Sequence, residues 1–162
     1  MNLGIFIASI ATPFILVAAT IVAVFELRAI RKERMGEIVL RLIDKWDTEE
    51  LTEAKNQARS IGTKAITKIF GSEKAEQDPA FFILARVANY FDGLGVLIDD
   101  GYLDRKTAYD LLGEAESDYF TLFEEVLGLS AFKDRLHYWP ILHEHFIHEK
   151  AKRTKRHHPS TY

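Results

Sequence analysis

The chain has 162 residues, 48% of them hydrophobic and 28% charged, no cysteine and a net charge of −3. This suits a folded domain rather than a disordered chain, and the missing cysteines exclude disulfides, thiolate nucleophiles and Cys-ligated zinc or iron–sulfur centres. Residues 26–45 hold six Lys/Arg against four Asp/Glu, residues 46–149 ten against twenty, and residues 150–162 five against none; so acidic a body argues against nucleic acid, which is bound by neutralising phosphates.

From Leu3 to Phe25 no residue is charged, and Glu26, Arg28, Arg31, Lys32 and Arg34 follow at once. A helix needs roughly 20 apolar residues to cross the hydrocarbon core of a bilayer. The run therefore predicts a single transmembrane anchor over residues 1–26. Its basic flank predicts an N-terminus outside and a cytoplasmic C-terminal domain at the cell inner membrane. Arg28, Arg31, Lys32 and Arg34 are the expected lipid-headgroup contacts. A cleaved signal peptide is the poorer reading, because its apolar stretch is only about 7–15 residues and follows basic residues, whereas here only Met1 and Asn2 precede the run.

Val39, Leu42, Ile43 and Trp46 lie at helical spacing, so residues 27–47 read as a juxtamembrane helix continuous with the anchor. No stretch alternates like a half-buried strand, and residues 48–148 read as an all-α bundle, four to five helices counting the shorter segments. Thr48 is the expected cap of a helix whose apolar row is Leu51, Ala54, Ala58, Ile61, Ala65 and Ile69. Asp78-Pro79 opens the most apolar segment, with Leu84, Val87, Ala88, Phe91, Leu94, Gly95 and Ile98 on one stripe. Gly95 costs helix stability on that stripe, which points to a close helix crossing. Gly101 is the expected C-cap. Asp104 opens the next helix, with Ala108, Leu111, Leu112, Ala115, Tyr119, Leu122 and Val126 on its face. A short helix begins at Ser130, Pro140 breaks or restarts it, and a last turn or two runs through Phe146. The basic tail, 149–162, is expected to be disordered.

Candidate chemistry is sparse. His143, Glu144, His145 and His148 are the residues a metal would use, because imidazole is a common ligand. Their spacing is unfavourable: the outer histidines are five residues apart, about 140° around a helix, and one turn supplies at most three ligands. Surface histidines are the simpler reading, so no cofactor is expected. Asp99, Asp100 and Asp104 lack the ligand pattern of a calcium loop and read as caps. Glu114, Glu116, Asp118, Glu124 and Glu125 read as charges on an outer helix face. No phosphate loop or nucleophile elbow is present, and no catalytic residue is assigned.

Three segments resemble an uncharacterised bacterial family, domain-of-unknown-function family 4760. The first is the apolar helix running into an Arg-rich stretch and Leu42-Ile43-Asp44-Lys45-Trp46. The second is Val87-Ala88-Asn89-Tyr90-Phe91-Asp92-Gly93-Leu94-Gly95. The third is Gly101-Tyr102-Leu103-Asp104 with the amphipathic helix after it. The resemblance covers roughly residues 28–147, implies a small membrane-associated helical domain, and transfers no catalytic residues. It does not include the His-rich segment or the basic tail.

The expected function is a membrane-anchored interaction module that binds a protein partner or a second copy of itself. Its contact surface is expected in a groove between the 79–99 and 104–127 helices, near Asn89, Tyr90, Asp92 and Gly93. The alternatives are a metal-dependent enzyme or ligand sensor built on residues 143–148, and an accessory subunit of a larger membrane complex.

Overall fold

The computed structural model describes residues 3–133 and 135–157, with side chains for 19–27, 29–30, 33–132 and 135–154. Among the described residues the structure is all helical, without strands. The helices are α1 (Leu3–Trp46), α2 (Glu49–Phe70), α3 (Pro79–Asp99), α4 (Arg105–Leu127), the short α5 (Ser130–Lys133) and α6 (Tyr138–His157), with a 3₁₀ turn at Ala75–Gln77. The chain forms two compact units, Met1–Leu40 and Arg41–Tyr162. The last turns of α1 thus belong to the bundle, where Leu42 is buried and Trp46 meets Tyr90 at 5.0 Å and Phe91 at 5.5 Å between ring centres.

Local chemistry accounts for the helix boundaries. Thr48 Oγ1 accepts the Leu51 N–H, Asp78 Oδ1 accepts the Ala80 N–H at 2.8 Å, and Asp104 Oδ1 accepts the Thr107 N–H at 2.9 Å. Each side chain satisfies a backbone donor that the first helical turn leaves free. Gly101, just past the end of α3, has φ 73°, the left-handed conformation that glycine adopts without a Cβ penalty.

α2 departs from its expected apolar row. Gly62 sits inside it at φ 73°, ψ 171°, a backbone region essentially reserved for glycine. The break turns the second half of the helix. Leu51, Ala54 and Ala58 are buried before it, and Ile66 and Phe70 after it. Ile61, Ala65 and Ile69, expected on the core face, are only half-buried.

Four helices make the bundle. In order around a ring they are α2, α3, α6 and α4, each packed on its two neighbours, so that α3 and α4, consecutive in sequence, lie on a diagonal. α2 and α4 run parallel: Arg59 lies over the Tyr119 ring, and Phe70 meets Phe123 at 5.9 Å. α4 and α6 run antiparallel, with Phe123 against Trp139 and Tyr109 against Phe146. A continuous aromatic core runs from Trp46 through Phe91, Trp139 and Phe123 to Phe70 and Phe81.

Two consequences bear on the site. Among the described residues one helix, Pro79–Asp99, is long and apolar enough to cross a membrane, yet about half of its apolar stretch is buried in the bundle. Its apolar stripe serves the core. Second, α6 runs to His157, so the disorder expected for the tail does not hold over 149–157. No glycine or proline interrupts residues 141–157. Glu149 pairs with Lys152 at 2.6 Å, and Arg153 bonds to Asp110 of α4 while lying over the Tyr109 ring. Basic side chains also suit the negative end of the helix dipole. Residues 158–162 lie outside the described residues.

Candidate functional site

Among the described residues Glu116 is the single fully buried charged side chain, at 0% exposure. It lies on the inner row of α4, Ala108, Leu112, Glu116, Tyr119, Phe123, whose spacings of four, four, three and four keep it facing the core. This overturns the expectation that it belongs with Glu114, Asp118, Glu124 and Glu125, which are exposed. The missed signal was that row: Glu116 stands one helical turn from both Leu112 and Tyr119.

A buried carboxylate costs several kcal/mol unless donors meet it. α6 supplies them. The Trp139 indole N–H donates to Glu116 Oε1 at 2.9 Å. His143 Nδ1 lies 3.1 Å from Oε2 and 3.2 Å from Oε1, and with its proton on Nδ1 the ring donates to the carboxylate. Burial pushes the Glu116 carboxyl above the usual range, while His143 and Trp139 pull it back. The His143 ring lies flat on Phe120, at 3.6 Å between centres and 2° between planes. It keeps 20% of its side chain exposed and lines a cleft of about 360 Å³ between α4 and α6, with Tyr109, Ser117, Thr121, Phe146 and Lys150. Among the described residues nothing is hydrogen-bonded to His143 Nε2.

The other three residues considered for a metal diverge from His143. Glu144 and His148 are exposed. His145 is half-buried, and burial together with Arg105 holds it below the ordinary imidazole range against the opposing pull of Glu144 and Asp99. Among the described residues no three His, Asp or Glu side chains are placed to hold an ion.

The residues expected at a partner groove also separate. Asn89 and Gly93 are exposed. Tyr90 is buried, and its hydroxyl donates to the Leu42 carbonyl at 3.0 Å. Asp92 Oδ1 accepts the N–H groups of Tyr138 at 2.7 Å and Trp139 at 3.0 Å, so it caps α6 from a neighbouring helix. Asn89 and Tyr90 line a cleft of about 320 Å³ with Lys45, Thr48, Leu51 and Arg86. The groove expected between α3 and α4 is therefore corrected: those helices are diagonal, and this cleft opens beside the α1–α2 connection. Of the expected headgroup contacts, the side chains of Arg28, Arg31 and Lys32 lie outside the described residues, and Arg34 is exposed.

The site thus combines a buried carboxylate, two donors that fix it, and an imidazole at the edge of a cleft. Such an arrangement can hold or move a proton at His143 Nε2. No curated protein and no solved structure matches the chain. A family described as a domain of unknown function matches residues 13–162, a longer span than the 28–147 of the resemblance, reaching into the apolar run and through the His-rich segment and the tail. Over nearly its whole length, from the apolar helix to the end of α6, the chain belongs to the domain-of-unknown-function family DUF4760.

Proposed function

We propose that the chain is a membrane-anchored helical interaction module, held by residues 1–26 with its bundle on the cytoplasmic face of the inner membrane, where it binds a protein partner or a second copy. The observation that carries this reading is the uncharged run Leu3–Phe25. In the part of α1 with described side chains, Ile21, Val22, Val24, Phe25, Leu27 and Ile30 are all exposed. At 100° per residue they point to every side of the helix, and a helix apolar all round is one that lipid or protein surrounds. Arg28, Arg31, Lys32 and Arg34 support the orientation, since basic residues are retained on the cytoplasmic side. Tethering raises the effective concentration of the bundle toward a partner in the same membrane. Asn89 and Gly93, exposed on α3, are the proposed partner contacts, while Tyr90 and Asp92 act through the bundle itself.

An alkaline wash of membranes from cells expressing the full chain tests the anchor, and protease added outside the cells tests the orientation. The chain is expected to stay in the pellet with its bundle protected. Release by the wash refutes the anchor; cleavage of the bundle refutes the orientation. Crosslinking in intact membranes before detergent extraction tests the module. A discrete dimer or a stoichiometric partner is expected, and a chain recovered alone as a monomer refutes that part.

A further inference from the structure

We propose that His143 is a phosphoryl-acceptor histidine, with Nε2 as the nucleophile, Glu116 as the buried group that orients it, and an N-phosphoryl compound as the donor. This goes beyond the membrane-module reading and does not depend on it.

An imidazole attacks through the nitrogen that carries no proton, so a histidine nucleophile needs its tautomer fixed. Glu116 does this. Its two oxygens lie 3.1 and 3.2 Å from Nδ1, and with Glu116 ionised they accept the ring proton there and leave the lone pair on Nε2. The carboxylate is itself held by the Trp139 indole at 2.9 Å, and the ring plane is held by Phe120 at 3.6 Å. As Nε2 forms a new bond, positive charge grows on the ring. A fully buried carboxylate beside Nδ1 stabilises that charge far better than water would. Nε2 itself is unpaired among the described residues, on a ring that lines an open cleft.

The surroundings select phosphoryl over acyl transfer. His143 and Glu116 both lie within helices, where backbone N–H groups are engaged in the helix. The cleft therefore lacks the backbone donors that would hold the oxyanion of an acyl intermediate. Phosphoryl transfer asks chiefly for positioning and for charge on the transferred oxygens. Lys150 and Ser117 line the same cleft with Glu114, and their ammonium and hydroxyl groups can donate to those oxygens; the Thr121 hydroxyl already donates to the Ser117 carbonyl at 3.0 Å.

The step balances without a further reactant. The Nε2 lone pair forms the new N–P bond while the P–N bond of the donor, already protonated on that nitrogen, breaks, and its electron pair leaves with the neutral amine, which is ammonia when the donor is phosphoramidate. The ring, briefly cationic, passes its Nδ1 proton toward Glu116. One P–N bond replaces another, so no nucleotide is consumed.

The test incubates the full chain in detergent micelles with potassium phosphoramidate. Labelling is followed by intact mass, by peptide mapping at alkaline pH and by ³¹P NMR, which separates the two ring nitrogens. The expected result is one phosphoryl group on Nε2 of His143, forming at least about tenfold faster than on His137 or His148, although those two are the more exposed. Glu116→Gln is expected to lower the His143 rate to that of the exposed histidines and to leave theirs unchanged. Labelling that follows exposure, with His137 and His148 ahead, overturns the proposal in the wild-type chain alone, whatever the stability of the variant. A folded Glu116→Gln chain that labels His143 at the wild-type rate overturns it as well.

Discussion

The α3–α6 crossing makes a quantitative prediction, because two glycines two residues apart on α3 should respond in opposite directions to the same change. A Cβ added at Gly95 would lie 2.6 Å from the Tyr138 carbonyl oxygen, 2.8 Å from Tyr138 Cβ and 2.9 Å from its carbonyl carbon. An ordinary non-bonded contact is about 3.5 Å, and no rotamer change moves a backbone aside. Gly95→Ala must therefore push α6 away from α3 by several tenths of an ångström. Overpacking of this kind costs about 1–3 kcal/mol. The same movement stretches the bonds from Tyr138 and Trp139 to Asp92, now 2.7 and 3.0 Å, and a weakened cap costs up to about 1–2 kcal/mol more. Alanine returns about 1 kcal/mol of helix propensity, leaving a net loss of about 2 kcal/mol, within a range of about 0–4 kcal/mol. At Gly93 an added Cβ meets nothing within 4 Å. Gly93→Ala should thus stabilise the bundle by up to about 1 kcal/mol. Urea unfolding of the full chain in mild detergent measures both, because the two tryptophans, Trp46 and Trp139, lie in the bundle. A Gly95→Ala chain as stable as wild type, or stabilised alongside Gly93→Ala, would refute the close crossing.

Glu116 predicts a pH dependence of stability. Burial raises its folded-state carboxyl pKa above the usual value, so its contribution is fully present in acid and is lost as pH rises through the folded pKa. Relative to wild type, Glu116→Gln should therefore gain in unfolding midpoint as pH rises from the ordinary glutamate range toward neutrality; parallel wild-type and variant curves would contradict it. Asp92→Ala should cost about 1–2 kcal/mol by leaving two first-turn N–H groups of α6 without their cap. Hydrogen exchange should show the loss first at the Tyr138 and Trp139 amides, and unchanged protection there would mean that Asp92 does not hold α6.

Much of this architecture was legible because it is set within a few residues. Thr48, Asp78 and Asp104 each satisfy a backbone N–H no more than three positions away, so a cap can be read without knowing the fold. The apolar stripe of α3 and the cost of its Gly95 are visible for the same reason, and so is the resemblance to the family that matches residues 13–162. What remained hidden depends on which helix faces which. Periodicity shows that a helix has an inner face, but not whether a carboxylate at its edge meets water or the donors of another helix. Glu116 is 23 residues from Trp139 and 27 from His143, and Asp92 is 46 from Tyr138. The apolar row of α4 is the one local sign that Glu116 faces inward, but it does not name the donors, and only the ring order α2, α3, α6, α4 brings the partners of both acids to them. Composition and local spacing by themselves determined an all-helical chain, its capped boundaries and its uncharged first segment. The tertiary structure alone decided that α3 and α4 lie on a diagonal, that Gly62 turns α2, and that a histidine on α6 rests on a carboxylate of α4, because a buried polar group finds its donors through space rather than along the chain.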